Sequence, residues 1–254
     1  MSVDAKLLLS LMPEQFKTQV IGRQSDDYVL FLDLWGTSEL LSRFQQSGDL
    51  LDQANIAHTQ THFVSTLGRL CKELPRVNAH QISDCAFVFS KDLSDLLTFA
   101  CTAFKNMTFR LDKFMFCPLR GGISKGLFYF ADGGTLKALS NFKYTAEIGT
   151  GMVEAATLEK KGPKGMRLFT SEALTKEIPQ SFQSNVRATK DIDNKDILEV
   201  NWMKNDHFFN DYLNANIESQ SMNQHLTDLA TVWSTKGNNY QQQVGNSLID
   251  LLNW

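Results

Sequence analysis

An apolar run that ends in a carboxylate constrains this chain more than any other feature. Residues 28–41 read Tyr28-Val29-Leu30-Phe31-Leu32-Asp33-Leu34-Trp35-Gly36-Thr37-Ser38-Glu39-Leu40-Leu41. Tyr28 to Leu32 are apolar β-formers and predict a short buried strand. Gly36 breaks the run, and Thr37 or Ser38 is the expected N-cap of the apolar-periodic helix that follows. A carboxylate at the end of a buried strand is costly unless something pairs with it. Mg²⁺ or Mn²⁺ meets that need, since both favour oxygen ligands. The N–H groups of Gly36, Thr37 and Ser38, aimed outward by the turn, form a ready site for phosphate. Taken alone, Asp33 reads first as a residue that hydrogen-bonds within its own turn.

The rest of the sequence narrows the classes. Its 254 residues allow one large domain, or one domain with an extension. The net charge of −3 offers no basic footprint for nucleic acid. No apolar run reaches the length of about 18 residues that a membrane span needs. The stretch from Leu7 to Met12 follows Asp4 and lacks a basic flank or cleavage site, so it makes a poor signal peptide. Cys71, Cys85, Cys101 and Cys117 form no CxxC pair and read as free thiols of a reducing cytosol; a cytoplasmic protein is expected.

Along the chain, residues 5–20 predict a short amphipathic helix, and 38–46 and 51–73 two more, the last ended by Pro75. Val77 to Phe89 predicts a hairpin turning at Ser83-Asp84. Residues 92–109 are helical by period, and Leu119 to Lys125 is a strand whose Gly121 and Gly122 mark a close approach of another backbone. The order is strand, helix, strand, strand, helix, strand: an α+β chain with a ferredoxin-like split βαβ core. Met166 to Thr170 predicts a further strand, Ser171 the N-cap of a short helix, and Ile197 to Trp202 the last strand. Apolar residues at Leu226, Leu229, Ala230 and Trp233, then Val244, Leu248 and Leu251, predict a C-terminal helical extension. The expected divisions are a leading helical segment (1–27), the core domain (28–204) and this extension (205–254).

That topology makes the first strand a neighbour of the hairpin. Asp33 and Asp84 then meet at one edge of the sheet. Adjacent carboxylates repel unless a cation sits between them. Beside a phosphate-binding turn, they are the footprint of two-metal phosphoryl or nucleotidyl transfer. Asp84 by itself is also an ordinary turn aspartate.

Four blocks resemble the class III nucleotidyl cyclases, the adenylate and guanylate cyclase family. Phe31-Leu32-Asp33-Leu34-Trp35-Gly36-Thr37 is similar to the first metal motif and Ile82-Ser83-Asp84-Cys85-Ala86-Phe87-Val88 to the second. Leu119-Arg120-Gly121-Gly122-Ile123-Ser124-Lys125-Gly126 resembles the next strand, and Ile148-Gly149 through Leu158-Glu159 the glycine turn and helix after it. The resemblance implies a homodimer with two sites at its interface. It implies attack of a ribose 3′-oxygen on the α-phosphorus of a nucleoside triphosphate. Two divalent ions, Mn²⁺ or Mg²⁺, would be held by Asp33, Asp84 and the Leu34 carbonyl.

The departures from the pattern bear on substrate. Where adenylate cyclases place a base-reading Lys, four residues before the second aspartate, this chain has His80. Where they place a partner Asp, it has Ala146, next to Glu147. Neither set of purine readers is present; His80 also reads as a plain hairpin histidine. In the family's Val-Asn-x-Ala-x-x-Arg helix, Asn becomes Val153 and the transition-state Arg becomes Thr157. Lys160, Lys161 and Arg120 are candidate replacements, and the lysines also suit a solvated helix end. Lys195 is the nearest match to a lysine that meets the terminal phosphate.

Non-purine base positions in a compact chain most resemble the bacterial antiphage pyrimidine cyclases of the Pycsar type. That resemblance implies cyclic UMP made from UTP, and a separate effector protein activated by it. The alternatives are cyclic CMP from CTP, a degenerate domain that binds nucleotide without turnover, and a palm-type polymerase or diguanylate cyclase relative. The last lacks support, since the hairpin carries no GGDEF-like turn.

Overall fold

The computed structural model describes residues 24–48, 50–108, 118–132, 145–204 and 219–254. The expected helix over 5–20 and Cys117 lie outside them.

The opening strand β1 (Gln24–Leu34) leads into α1 (Thr37–Ser47) and α2 (Leu50–Glu73). The hairpin follows as β2 (Asn78–Ile82) and β3 (Cys85–Ser90), then α3 (Leu93–Thr108) and β4 (Leu119–Asp132). After these come β5 (Thr145–Gly149), α4 (Thr150–Lys161), β6 (Leu168–Ser171), β7 (Val186–Lys190) and β8 (Asp196–Val200). Helices α5 (Ser219–Lys236) and α6 (Asn239–Leu252) close the described chain.

The strands form one sheet in the order β2-β3-β1-β4-β6-β8-β7, with β5 paired to the far end of β4. The first four are the ferredoxin-like set, all antiparallel to their neighbours, and β6 then runs parallel to β4. The expected α+β fold is the one observed.

Side chains alternate across the sheet and give its two faces different fates. Leu30, Leu32, Leu34, Ala86 and Val88 enter the main core, with Phe99 and Phe104 of α3. Val29 and Phe89 face the other way and meet Met152 and Ala155 of α4. Among the described residues, only α4 covers that second face along β1 and β4. It lies so close to β4 that a Cβ on Gly122 would stand 2.2 Å from the Ala155 carbonyl. The close backbone approach expected at these glycines is therefore real.

The C-terminal pair is anchored to the core domain. Val244, Leu248 and Leu251 are buried, the Ser247 hydroxyl accepts from the Met166 N–H (2.9 Å), and the Asn201 amide donates to the Leu251 carbonyl (3.0 Å). Buried Glu199 receives both Arg167 and Arg187, and Arg167 also reaches Asp250 of α6.

Several readings differ from expectation: β6 begins at Leu168 rather than Met166, and β8 ends at Val200, with Trp202 in a short 3-10 helix. Strand β4 runs on to Asp132, because β5 gives its far half a partner. Strand β7 was hard to read in the sequence: it is Val186-Arg187-Ala188-Thr189-Lys190, short, without an apolar run and with no residue fully buried. Helix α1 is capped by Gly36 rather than by Thr37 or Ser38. Gly36 sits at φ +101°, and no side chain caps the helix. Thr37 is already the first helical residue, and its hydroxyl donates back to the Leu34 carbonyl (2.9 Å).

Candidate active site

The site begins at the end of β1. Asp33 is paired across the ladder with Cys85 on one side and Arg120 on the other. The Leu34 N–H donates to the Asp84 carbonyl (3.0 Å), which ties the hairpin turn directly to the strand end. Ser83 takes a left-handed φ of +57° to make that turn. Two aspartates 51 positions apart in sequence thus share one corner of the sheet. The expectation drawn from the split βαβ order holds here.

The electrostatics agree with the geometry. Burial pushes the Asp33 carboxyl up to about 7, Glu159 and then Asp84 push the same way, and Arg120 opposes them. Cys85 rises to about 11, by burial and then by the two aspartates. The corner is therefore short of positive charge. Glu159 does not join it as a ligand: it makes a buried ion pair with Arg120 (2.8 Å), whose guanidinium also donates to the Glu159 carbonyl. Among the described residues, no group of three or more His, Cys, Asp or Glu side chains gathers as a metal cluster. What the corner offers is two carboxylates and the Leu34 carbonyl. Leu34 already accepts from Thr37 but keeps a second lone pair. An all-oxygen donor set of this kind suits Mg²⁺ or Mn²⁺ and needs further oxygens from a phosphate or water.

The turn Trp35-Gly36-Thr37 follows. The Trp35 N–H is held by the Pro118 carbonyl (2.8 Å). Thr37 and Ser38 are the first two residues of α1, at its N-terminal end beside this turn. Ser38 is exposed and Thr37 buried.

The same face continues along β3 and β2. Phe31 and Phe87 lie 5.0 Å apart, His80 stands opposite Phe87 in the ladder, and its ring meets the edge of Phe89 at 5.9 Å. Phe31, Phe87, Cys85 and His80 are only half-buried, and Ile82 is exposed. From Phe87 a groove of about 730 Å³ runs under the outer side of α4, past Met152, Val153, Thr157, Lys160 and Ile192. Val153 and Ile192 are both more than two-thirds exposed.

Most of the expected site residues fall into two groups, with His80 in β2 and Ala146 in β5 outside both. Asp33, Leu34, Gly36, Thr37, Ser38, Asp84 and Arg120 gather at the corner. Thr157, Lys160 and Lys195 lie along α4 and the β7–β8 turn. Thr157 spends its hydroxyl on the Val153 carbonyl (2.6 Å), and Lys161 pairs with Asp193, whereas Lys160 is exposed. Lys195 donates its backbone N–H to Asp191 within the β7–β8 turn. Ala146 lies in β5 opposite Ala131. Sequence reasoning missed the Arg120–Glu159 pair and the phenylalanine face. The alternation of Val29, Phe31, Asp33 with Cys85, Phe87, Phe89 was the available signal for the latter.

No family model matches the chain, and no curated protein matches it. Solved structures do. A bacterial light-regulated adenylyl cyclase aligns with a TM-score of 0.53 at 13% identity, over 78% of this chain and 60% of that one. The catalytic core of a rhodopsin-guanylyl cyclase with converted specificity, in complex with ATPαS, aligns at 0.52 and 13%, over 70% of this chain and 97% of that one. The adenylyl cyclase CyaB of P. aeruginosa aligns at 0.48 and 18%, over 70% and 94%. The fold is that of the class III adenylyl and guanylyl cyclase catalytic domains.

Proposed function

We propose that this chain is a nucleotidyl cyclase that acts on a pyrimidine nucleoside triphosphate, UTP before CTP, and releases pyrophosphate with the 3′,5′-cyclic nucleotide. One observation carries the reading: Asp33 and Asp84 meet at the corner of two neighbouring strands, beside a glycine turn that opens a helix. The cyclase fold stands behind it.

Asp33, Asp84 and the Leu34 carbonyl would hold two divalent ions, Mn²⁺ or Mg²⁺. When bound, these ions supply charge neutralisation on the triphosphate and a lower pKa at the ribose 3′-hydroxyl. The chain does the rest. The leading N–H groups of α1 orient the phosphates. Arg120, held by Glu159, keeps positive charge beside the corner. Phe31 and Phe87 would give the base an apolar bed, and a donor tautomer of His80, opposite Phe87 in the ladder, would suit a uracil O4. Lys160, exposed at the mouth of the α4 groove, takes the place of the absent transition-state arginine and works on the partner's site of a homodimer. An infection-triggered signal read by a separate effector, in a cytoplasmic protein, follows from the Pycsar-like pattern of the sequence.

Pyrophosphate release from UTP in Mn²⁺ tests the reading. Asp33→Asn and Asp84→Asn are each expected to abolish it, and variants that keep full turnover overturn it. A second reading, nucleotide binding without turnover, draws on Val153 and Thr157, which replace the ribose-positioning Asn and the transition-state Arg. It predicts UTP binding with no product.

A further inference from the structure

The C-terminal helix pair lies outside every cyclase-like block of the sequence, yet it touches the phosphate turn. The Tyr240 hydroxyl donates to the Trp35 carbonyl (2.6 Å) across 205 positions of chain. The two rings lie 4.7 Å apart, tilted by 56°. A Cβ on Gly36 would stand 2.8 Å from the Tyr240 ring, so glycine is needed there for this contact as well as for its φ of +101°. On the other side, the Arg120 guanidinium lies 5.5 Å from the Trp35 ring centre.

Tyr240 itself is set firmly. It is the second residue of α6, whose start is fixed by a reciprocal capping box between Asn238 and Gln241. Further along, α6 is bound to the sheet through Ser247, Asp250 and Leu251. Where α5 and α6 cross, Gly245 comes so close that a Cβ would stand 2.5 Å from the Ser234 nitrogen. The pair is thus a braced strut from β6 and β8 to the turn after β1.

We propose that Tyr240 is a positioning residue for the Trp35-Gly36-Thr37 turn, so that the C-terminal pair is part of the triphosphate site. The Trp35 N–H is held by Pro118 and its carbonyl by Tyr240, so the peptide groups on both sides of the Trp35 Cα are engaged, and the second of them carries the Gly36 N–H. The peptide's orientation sets where the next N–H groups point. This inference rests on the cyclase reading and deepens it.

Tyr240→Phe removes the hydroxyl and keeps the ring. Losing one such bond is expected to raise KM for UTP and the inhibition constant of pyrophosphate about fivefold, with kcat within about twofold of wild type. Hydrogen exchange over residues 35–40 of the nucleotide-free protein should quicken. Arg76→Ala removes an ion pair with Asp95 at the other end of the sheet and serves as the control: a slightly lower melting temperature with KM and pyrophosphate inhibition unchanged. Unchanged KM and pyrophosphate inhibition in Tyr240→Phe overturn the inference alone, as does a fall in kcat with KM untouched. A wild-type protein that turns over no triphosphate overturns the cyclase reading, and this inference with it.

Discussion

The turn after β1 and the outer side of α4 differ in how much of their surface is already engaged. At the turn, the backbone is held by Pro118, Asp84, Thr37 and Tyr240, and the charges by the Arg120–Glu159 pair. Along α4, Val153 and Lys160 face open space, and Thr157 satisfies itself on its own helix. The first region is built to hold something without help. In the proposed reading, the second is half of a site and gains its chemistry when another surface is laid over it. The proposed function accounts for that division with a second protomer that completes the site. The sequence keeps the cyclase-like pattern at the corner and departs from it along α4.

That contrast is open to direct attack. The largest effect belongs to the corner. Asp33→Asn should lower turnover by at least about 10³-fold, since it removes a carboxylate that would hold the metal ions. The same variant should melt at a higher temperature than wild type at pH 8 without metal. Asp33 titrates near 7 in the fold, above its ordinary value, so ionising it costs stability. That cost is absent below about pH 4 and complete above about pH 7.

Gly122→Ala attacks the seam between the two regions. A Cβ 2.2 Å from the Ala155 carbonyl forces α4 off β4 and should cost about 3 kcal/mol in a denaturant melt. On the α4 side, Lys160→Met should lower kcat by about 10²-fold with KM unchanged. Lys161→Met should cost little, because Lys161 is engaged with Asp193. If the two lysines exchange these effects, the assignment along α4 is reversed.

Smaller effects sharpen the picture. His80→Ala should shift the preference between UTP and CTP by about tenfold, read from kcat/KM, as a lost polar reader does. Mn²⁺ affinity, read by calorimetry, should fall by about tenfold per pH unit below 7, where a proton on Asp33 competes with the metal.

The corner was legible because each part of it leaves a local signal. An apolar run, a carboxylate, a glycine and a helical period specify strand, turn and helix without tertiary help. A tight hairpin turn at Ser83-Asp84 then brings the second carboxylate alongside. The cap was misassigned for a physical reason. Thr37 is a good cap by type, but its hydroxyl finds the Leu34 carbonyl first, and Gly36 alone tolerates the left-handed turn under Tyr240. The Arg120–Glu159 pair stayed hidden because its partners lie 39 positions apart, and strand β7 because its five residues form no apolar run, although β8 pairs with it across a short turn. So did the reach of Tyr240, which sits in a polar, glutamine-rich stretch with no motif to mark it.

The central claim is that the Asp33–Asp84 corner makes a cyclic pyrimidine nucleotide. The direct test is to incubate the protein with Mn²⁺ and ATP, GTP, CTP and UTP in separate reactions and identify each product by mass. The account predicts cyclic UMP from UTP, lost in Asp33→Asn and in Asp84→Asn. Cyclic AMP or cyclic GMP as the main product would contradict the reading of His80 and Ala146, and a product that survives both aspartate substitutions would contradict the site itself.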